Sequence, residues 1–207
     1  MRLAEKTIEL NFCSQYAKLY TDPCFWFGLT QRQEAKAGFD AAVRLGGRLQ
    51  IFQFKASSQN VSGLRRFHAP NGQLENLVNR STAARSVFYV LPEVGTTLEL
   101  AGSTDLMDRS WLLDANDLRD VAPPVTPTGL PRKNQVHYFD LEPPLVHIHA
   151  PSYEKKLLQA SNYAKVAERS GIAAEDLAEI GFKRFWTRPK FTGTVAALVV
   201  VPGVNNA

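Results

Sequence analysis

Residues 31–57 read QRQEAKAGFDAAVRLGGRLQIFQFKAS. Two largely apolar runs flank the pair Gly46-Gly47, the pattern of two strands joined by a tight turn. The first strand opens at Gly38-Phe39-Asp40, and the second covers Arg48 to Ala56. Side chains alternate along a strand, so Ile51, Gln53 and Lys55 share one face, while Phe52 and Phe54 take the other. A polar group on such a strand costs free energy if it is buried without a partner. Gln53 and Lys55 therefore need a reason to be there. Asp40, on the neighbouring strand, can meet them near the splayed end of the hairpin.

Before the hairpin, Ile8, Phe12, Tyr16 and Leu19 recur at helical spacing and predict an apolar helix face within residues 3–20. The alternation Ile8, Leu10, Phe12 also fits a strand. Asp22 to Gly28 is turn-like and aromatic, with Phe25, Trp26 and Phe27 expected in a core or an interface. After the hairpin, residues 64–79 read as a loop and a helix, with Leu74, Leu77 and Val78 inward. Ser86 to Leu91 is a compact buried strand ended by Pro92. Weaker strands are expected at 110–113, 136–140 and 145–149. Helices are expected at 153–169 and 173–180, the second stopped by Gly181. Val195 to Val201 is the most hydrophobic segment and reads as a central strand. The fold class that follows is α/β (α+β), a central mixed β-sheet flanked by helices.

The chain has 207 residues, 44% of them hydrophobic and 21% charged, which is ordinary globular composition and long enough to bury a full core. No apolar run spans a membrane, and the charged N-terminal stretch MRLAEKTIEL lacks the apolar centre of a signal peptide. Cys13 and Cys24 are too few for a disulfide framework, so a cytoplasmic location is expected. The net charge of +4 is unevenly spread: residues 1–80 carry +5, residues 81–150 carry −4 and residues 151–207 carry +3. Basic ends around an acidic middle suit either a polyanion on one face or a solvated surface of mixed sign. The stretch APPVTPTGLP, residues 122–131, has no helix or central-strand potential. It divides a core of residues 1–121 from strands and helices in 132–207 that are expected to complete the same domain.

Gly-x-Asp, twelve residues, then Gln-x-Lys resembles the active-site signature of the PD-(D/E)xK nuclease superfamily. The Gln variant is similar to that of Mrr-like restriction endonucleases, and the spacing resembles that of archaeal Holliday-junction resolvases. The likeness covers about 60 residues, from the N-terminal helix through Ala56. It implies a restriction-endonuclease-like core and hydrolysis of DNA phosphodiesters with Mg²⁺ or Mn²⁺, in prokaryotic antiviral defence, restriction or repair. In that reading Asp40, Gln53 and the Phe54 carbonyl ligate the metal, and hard oxygen donors suit such an ion. Lys55 would orient or help deprotonate the attacking water. The family adds an acidic residue from the first helix. Glu34 and Glu9 rank ahead of Glu5 for this role, and the choice between the two stays open. Such folds work as homodimers or as subunits of larger complexes. A catalytically inactive, nucleic-acid-binding or scaffold descendant is the alternative, because Gln in place of Glu removes one negative charge from the site.

Arg65, Arg66 and His68 follow the second strand and suit a phosphate backbone. Gln73 begins the next helix, which in this fold class packs beside the site. His137, His147 and His149 read as ordinary strand histidines rather than a zinc centre, since no Cys pair or Glu-x-x-His supports them. Val166 to Phe182 has the outline of a helix-turn-helix, followed by Lys183, Arg184, Arg188 and Lys190. No nucleophile-elbow, Walker or dinucleotide motif is present.

Overall fold

The structure is a computed structural model that describes residues 1–20, 24–29, 34, 37–45, 48–59, 62–81, 85–102, 105–121, 136–149 and 153–167, with the backbone of 172–173 and 199–200. The predicted N-terminal helix is α1, Glu5–Ala17. Its buried face, Ile8, Phe12 and Tyr16, lies on the sheet, and the Phe12 ring sits 5.6 Å from Phe52 and 5.3 Å from Phe54. Leu19 falls beyond the helix and is exposed.

Strand β1, Cys24–Gly28, forms where a turn was expected, and the segment buries Trp26 while Phe25 stays exposed. It pairs antiparallel with β2, Ala41–Leu45, which pairs antiparallel with β3, Arg48–Phe54. The Gly46-Gly47 turn lies outside the described residues. After the short β4, Ser58–Gln59, the expected loop is instead strand β5, Arg65–Pro70. Helix α2, Asn71–Arg80, buries Leu74, Leu77 and Val78 as the periodicity predicts. The chain then enters β6, Val87–Pro92, which lies parallel to β3. A parallel neighbour requires a crossover, and α2 lies within it.

Two further elements follow, α3 at Thr97–Ala101 and β7 at Ser110–Asp114, then a 3₁₀ turn at Ala115–Leu118. Strands β8, Val136–Glu142, and β9, Leu145–Ile148, form an antiparallel pair. The helix expected at 153–169 is corrected. Residues 153–156 are strand β10, residues 158–159 are β11, and among the described residues of this segment the α-helix is confined to Ala160–Ala164, α4. β10 hydrogen-bonds along β9, and this pairing overrides the local helical spacing. Segment 199–200, β13, pairs with β1 at the edge of the sheet rather than in its middle. An apolar run reports that a strand is covered, not its rank in the order. The two-residue strand β12, 172–173, pairs with β3; the helix expected at 173–180, most of the helix-turn-helix and the 122–131 stretch lie outside the described residues.

The central sheet is mixed and runs β11-β7-β6-β3-β2-β1-β13. A second, antiparallel sheet runs β10-β9-β8-β5-β4. The fold is therefore α+β, a mixed sheet with α1 on one face and α2 and the second sheet on the other. Strand β8, from beyond residue 131, pairs onto β5 from before it and carries β9 on its other side. No helix among the described residues is long and apolar enough to cross a membrane.

Candidate functional site

Gly38 introduces the site. Its φ is +78°, a conformation that favours glycine, and an added Cβ would lie 2.8 Å from Asn76 Cβ on α2. Phe39 is buried beneath the Arg80 guanidinium, 5.8 Å from its ring centroid, while Arg80 Nε donates to the Ala37 carbonyl at 2.8 Å. These contacts fix the approach to β2. Asp40 comes next, opposite Gln53 and on the same face.

The Asp40 carboxylate is buried, and its Oδ2 accepts from Gln53 Nε2 at 2.6 Å and from the Phe54 N–H at 2.7 Å. Burial pushes the Asp40 carboxyl up to about 7. The Phe54 N–H, the Lys55 charge and the Gln53 amide oppose that rise, and the charge of Glu5 adds to it. Gln53 Nε2 also lies 3.1 Å from the Phe54 carbonyl. The Gln53 oxygen, Oε1, is buried with no hydrogen-bond partner among the described residues. An orphaned buried acceptor costs about 1–3 kcal/mol, and it marks a place where a ligand would be welcome.

Lys55 leaves the end of β3, its N–H bonded to the Val90 carbonyl at 3.2 Å. Its side chain is buried, and Nζ lies 3.8 Å from Glu5 Oε1, on the first turn of α1. Glu5 Oε1 also accepts from the Ala56 N–H at 3.3 Å. Glu5, ranked below Glu9 and Glu34 from the sequence, is thus the acid that reaches Lys55.

Glu9 and Glu34 meet a different cation. Lys6 Nζ donates to Glu9 at 2.8 and 2.7 Å and lies 3.8 Å from Glu34 Oε1. Burial raises the Glu9 carboxyl, and Lys6 opposes that rise. Burial also raises Glu34, with Lys6 opposing and Glu9 and Glu5 adding to it. Burial works against a charged Lys6, but the Glu9 hydrogen bond and the charges of Glu9, Glu34 and Asp40 leave its pKa raised. Lys6 was not legible as a site residue; its only signal was a Lys three residues before Glu9. Among the described residues no three of His, Cys, Asp or Glu converge as a metal-ligand cluster.

The predicted phosphate-contact residues split. Adjacent positions on β5 face opposite ways, so Arg65 and Arg66 point apart. Arg65 pairs with Glu99 at 2.7 Å. Arg66 makes a two-point contact with Asp140, both bonds 2.7 Å, and its guanidinium lies 5.2 Å from the Tyr138 ring centroid. His68 meets the same ring edge-on at 5.0 Å. Burial and then the charges of Arg66, Arg2 and Lys55 lower the His68 pKa, and the charge of Asp140 opposes them. Gln73 has its Oε1 buried without a partner among the described residues. His137 Nδ1 and His149 Nε2 lie 2.7 Å apart, a hydrogen-bond distance, while His147 faces Glu142. The three histidines do not converge.

No family model, curated protein or solved structure matches this chain.

Proposed function

We propose that the chain is a metal-dependent DNA endonuclease of the PD-(D/E)xK type, using Mg²⁺ or Mn²⁺ at the Asp40–Gln53–Lys55 site. The observation that carries this reading is the meeting of the buried Asp40 carboxylate with Gln53 and the Phe54 N–H on one hairpin, with Lys55 two residues on and the Gln53 oxygen without a partner among the described residues. The Asp40 carboxylate and the Phe54 carbonyl are donor types that suit a hard divalent cation, and the Gln53 amide oxygen would join them only with the amide turned over, because its Nε2 now meets both. When bound, such an ion polarises a phosphoryl oxygen and lowers the pKa of a water. Lys55 orients that water and offsets charge developing on the phosphate. Glu9 or Glu34 completes the site once released from Lys6. Arg66 and His68, two residues apart on one face of β5, hold the DNA backbone once Arg66 is released from Asp140. The order α1, β1–β2–β3, then β4–β5, α2 and a β6 parallel to β3, accords with a restriction-endonuclease-like core that carries an inserted β4–β5 segment. A prokaryotic defence, restriction or repair role in the cytoplasm, as a homodimer or a subunit of a larger complex, accords with the resemblance.

A second reading, a catalytically inactive DNA-binding or scaffold subunit, draws on one observation. Lys6 already neutralises the acids a second metal ligand would come from. Digestion of supercoiled plasmid with Mg²⁺ or Mn²⁺, with and without EDTA, separates the two. Wild-type cleavage that disappears with EDTA, Asp40→Ala and Lys55→Ala supports the nuclease. DNA binding with no cleavage under any of these conditions supports the scaffold.

A further inference from the structure

Glu5, exposed on the first turn of α1, has no task in the site proposed above. Its contacts are all with the exit of β3. Oε1 accepts from the Ala56 N–H at 3.3 Å and lies 3.8 Å from Lys55 Nζ. Arg2 grips the same stretch through its carbonyls. Its Nε donates to the Ser57 carbonyl at 3.1 Å, and its Nη2 reaches the Ala56 carbonyl at 3.5 Å. The segment that carries both side chains is itself tied down. Leu3 N–H donates to the Gly95 carbonyl and Thr97 N–H to the Met1 carbonyl, both at 3.0 Å, and Arg2 bridges to Thr96. Residues 1–5 therefore clasp the end of β3 to the loop that follows β6.

Lys55 has the most to gain from this clasp. Its side chain is only 7% exposed, and a buried ammonium without a counter-ion is costly. Among the described residues Glu5 supplies the one carboxylate at ion-pair distance. Asp40 is engaged elsewhere, its Oδ2 accepting from Gln53 and from the Phe54 N–H. A lysine carries its charge on a flexible four-carbon stem. An amine that must meet one water beside one phosphate needs its tip fixed, because small misplacements of a reacting group are expensive.

We infer that Glu5 is a positioning residue that holds the Lys55 amine in the site and does not ligate the ion. This rests on the nuclease reading above, in which Lys55 orients the attacking water. Glu5 touches neither metal nor DNA. It acts through the Lys55 ammonium and the Ala56 N–H, while Arg2 steadies the neighbouring carbonyls. An acid that served the ion would take metal affinity with it when removed, and one that serves Lys55 would not.

The test uses the full chain as wild type, Glu5→Ala, Glu5→Gln and Asp40→Asn. Cleavage of supercoiled plasmid with Mn²⁺ gives kcat and KM, and calorimetry gives Mn²⁺ affinity. Reductive methylation, followed by mass spectrometry, gives the reaction rate of the Lys55 amine. Glu5→Ala is expected to lower kcat by about 10–100-fold. Its KM and Mn²⁺ affinity should stay within about 3-fold of wild type, while Lys55 methylation quickens by about 2–5-fold. Glu5→Gln keeps an oxygen for the Ala56 N–H and for the ammonium, and it is expected to recover part of kcat. An unchanged kcat or an unchanged methylation rate in Glu5→Ala, with wild type cleaving, overturns this inference and leaves the metal site standing. Mn²⁺ affinity lost in Glu5→Ala as it is in Asp40→Asn also overturns it, since Glu5 would then be a ligand. Absence of both cleavage and Mn²⁺ binding in wild type overturns the nuclease reading and this inference with it.

Discussion

Lys6 Nζ lies within 2.8 Å of both carboxylate oxygens of Glu9, so this acid of α1 already holds a cation. An ammonium and a divalent ion compete for the same negative field. Removing the ammonium without changing bulk should favour the metal. Lys6→Met is expected to tighten Mn²⁺ binding by about 2–5-fold, the size of a partly exposed ion-pair effect. Calorimetric titration checks it, and equal or weaker binding rules the competition out.

Asp40 ties function to stability through its proton. Its folded pKa, about 7, lies above the unfolded value, so the folded chain binds the extra proton between about 4 and 7. The stability this contributes is present in full below about 4 and is lost as the pH rises to about 7. Asp40→Asn keeps an acceptor for the Phe54 N–H and carries no charge. It is expected to raise stability at pH 8 by about 2–4 kcal/mol and to flatten the decline between those pH values. Cleavage is lost in the same protein. Urea melts at pH 4.5 and pH 8 measure the first effect, and an unchanged pH slope in the variant contradicts it.

The same proton should leave when a cation arrives. Near pH 6.5 the buried carboxyl is largely protonated, and a divalent ion favours only its ionised form. Mn²⁺ titrations in two buffers of different ionisation enthalpy are expected to show release of a substantial fraction of a proton per ion at pH 6.5. The release should fade at pH 8.5 and be absent in Asp40→Asn.

His137 sets an acid limit on the second sheet. Burial, with the nearby His149, lowers its pKa to about 4. Its Nε2 meets Asn71 Oδ1 at 2.7 Å and its Nδ1 meets His149 Nε2 at 2.7 Å. The unfolded chain therefore binds the extra proton between about 6.5 and 4, and stability falls as pH drops through that window. A loss of about 2–3 kcal/mol is expected across it. His137→Gln should lessen the acid slope, followed by urea melts from pH 7 to pH 4.

Gly38→Ala tests how firmly the approach to Asp40 is set. A side chain at φ +78° is strained, and its Cβ would press on Asn76. A cost of about 1–3 kcal/mol is expected from the backbone conformation. The variant should lose cleavage beyond what its lower Tm explains, because Asp40 follows two residues later. Full cleavage by the variant at 20 °C would show that the position of Asp40 does not depend on this bend.

The hairpin was legible because its signal is periodic. Phe52 and Phe54 against Gln53 and Lys55 is a two-residue alternation, and the Asp40–Gln53 hydrogen bond follows from pairing those strands. The faces of α1 and α2 were legible for the same reason. Residues 153–156 were misread because helical spacing of a few apolar residues is weak against an available strand edge on β9. Which acid meets Lys55 was not legible, because distance along the chain does not measure distance across a helix–strand crossing. Glu5 is 50 residues from Lys55 and reaches it, while Glu9 turns one helical step away to Lys6.

The parallel pairing of β3 with β6 has a bearing on synthesis. Until residues 87–92 have left the ribosome, β3 has no neighbour on that side. A nascent or truncated chain ending before Val87 would expose a backbone edge flanked by Ile51, Phe52 and Phe54, the sort of template that recruits other unfinished chains. Asp40, Gln53 and Lys55 are all translated by then, yet their enclosure waits for a strand encoded some thirty codons downstream.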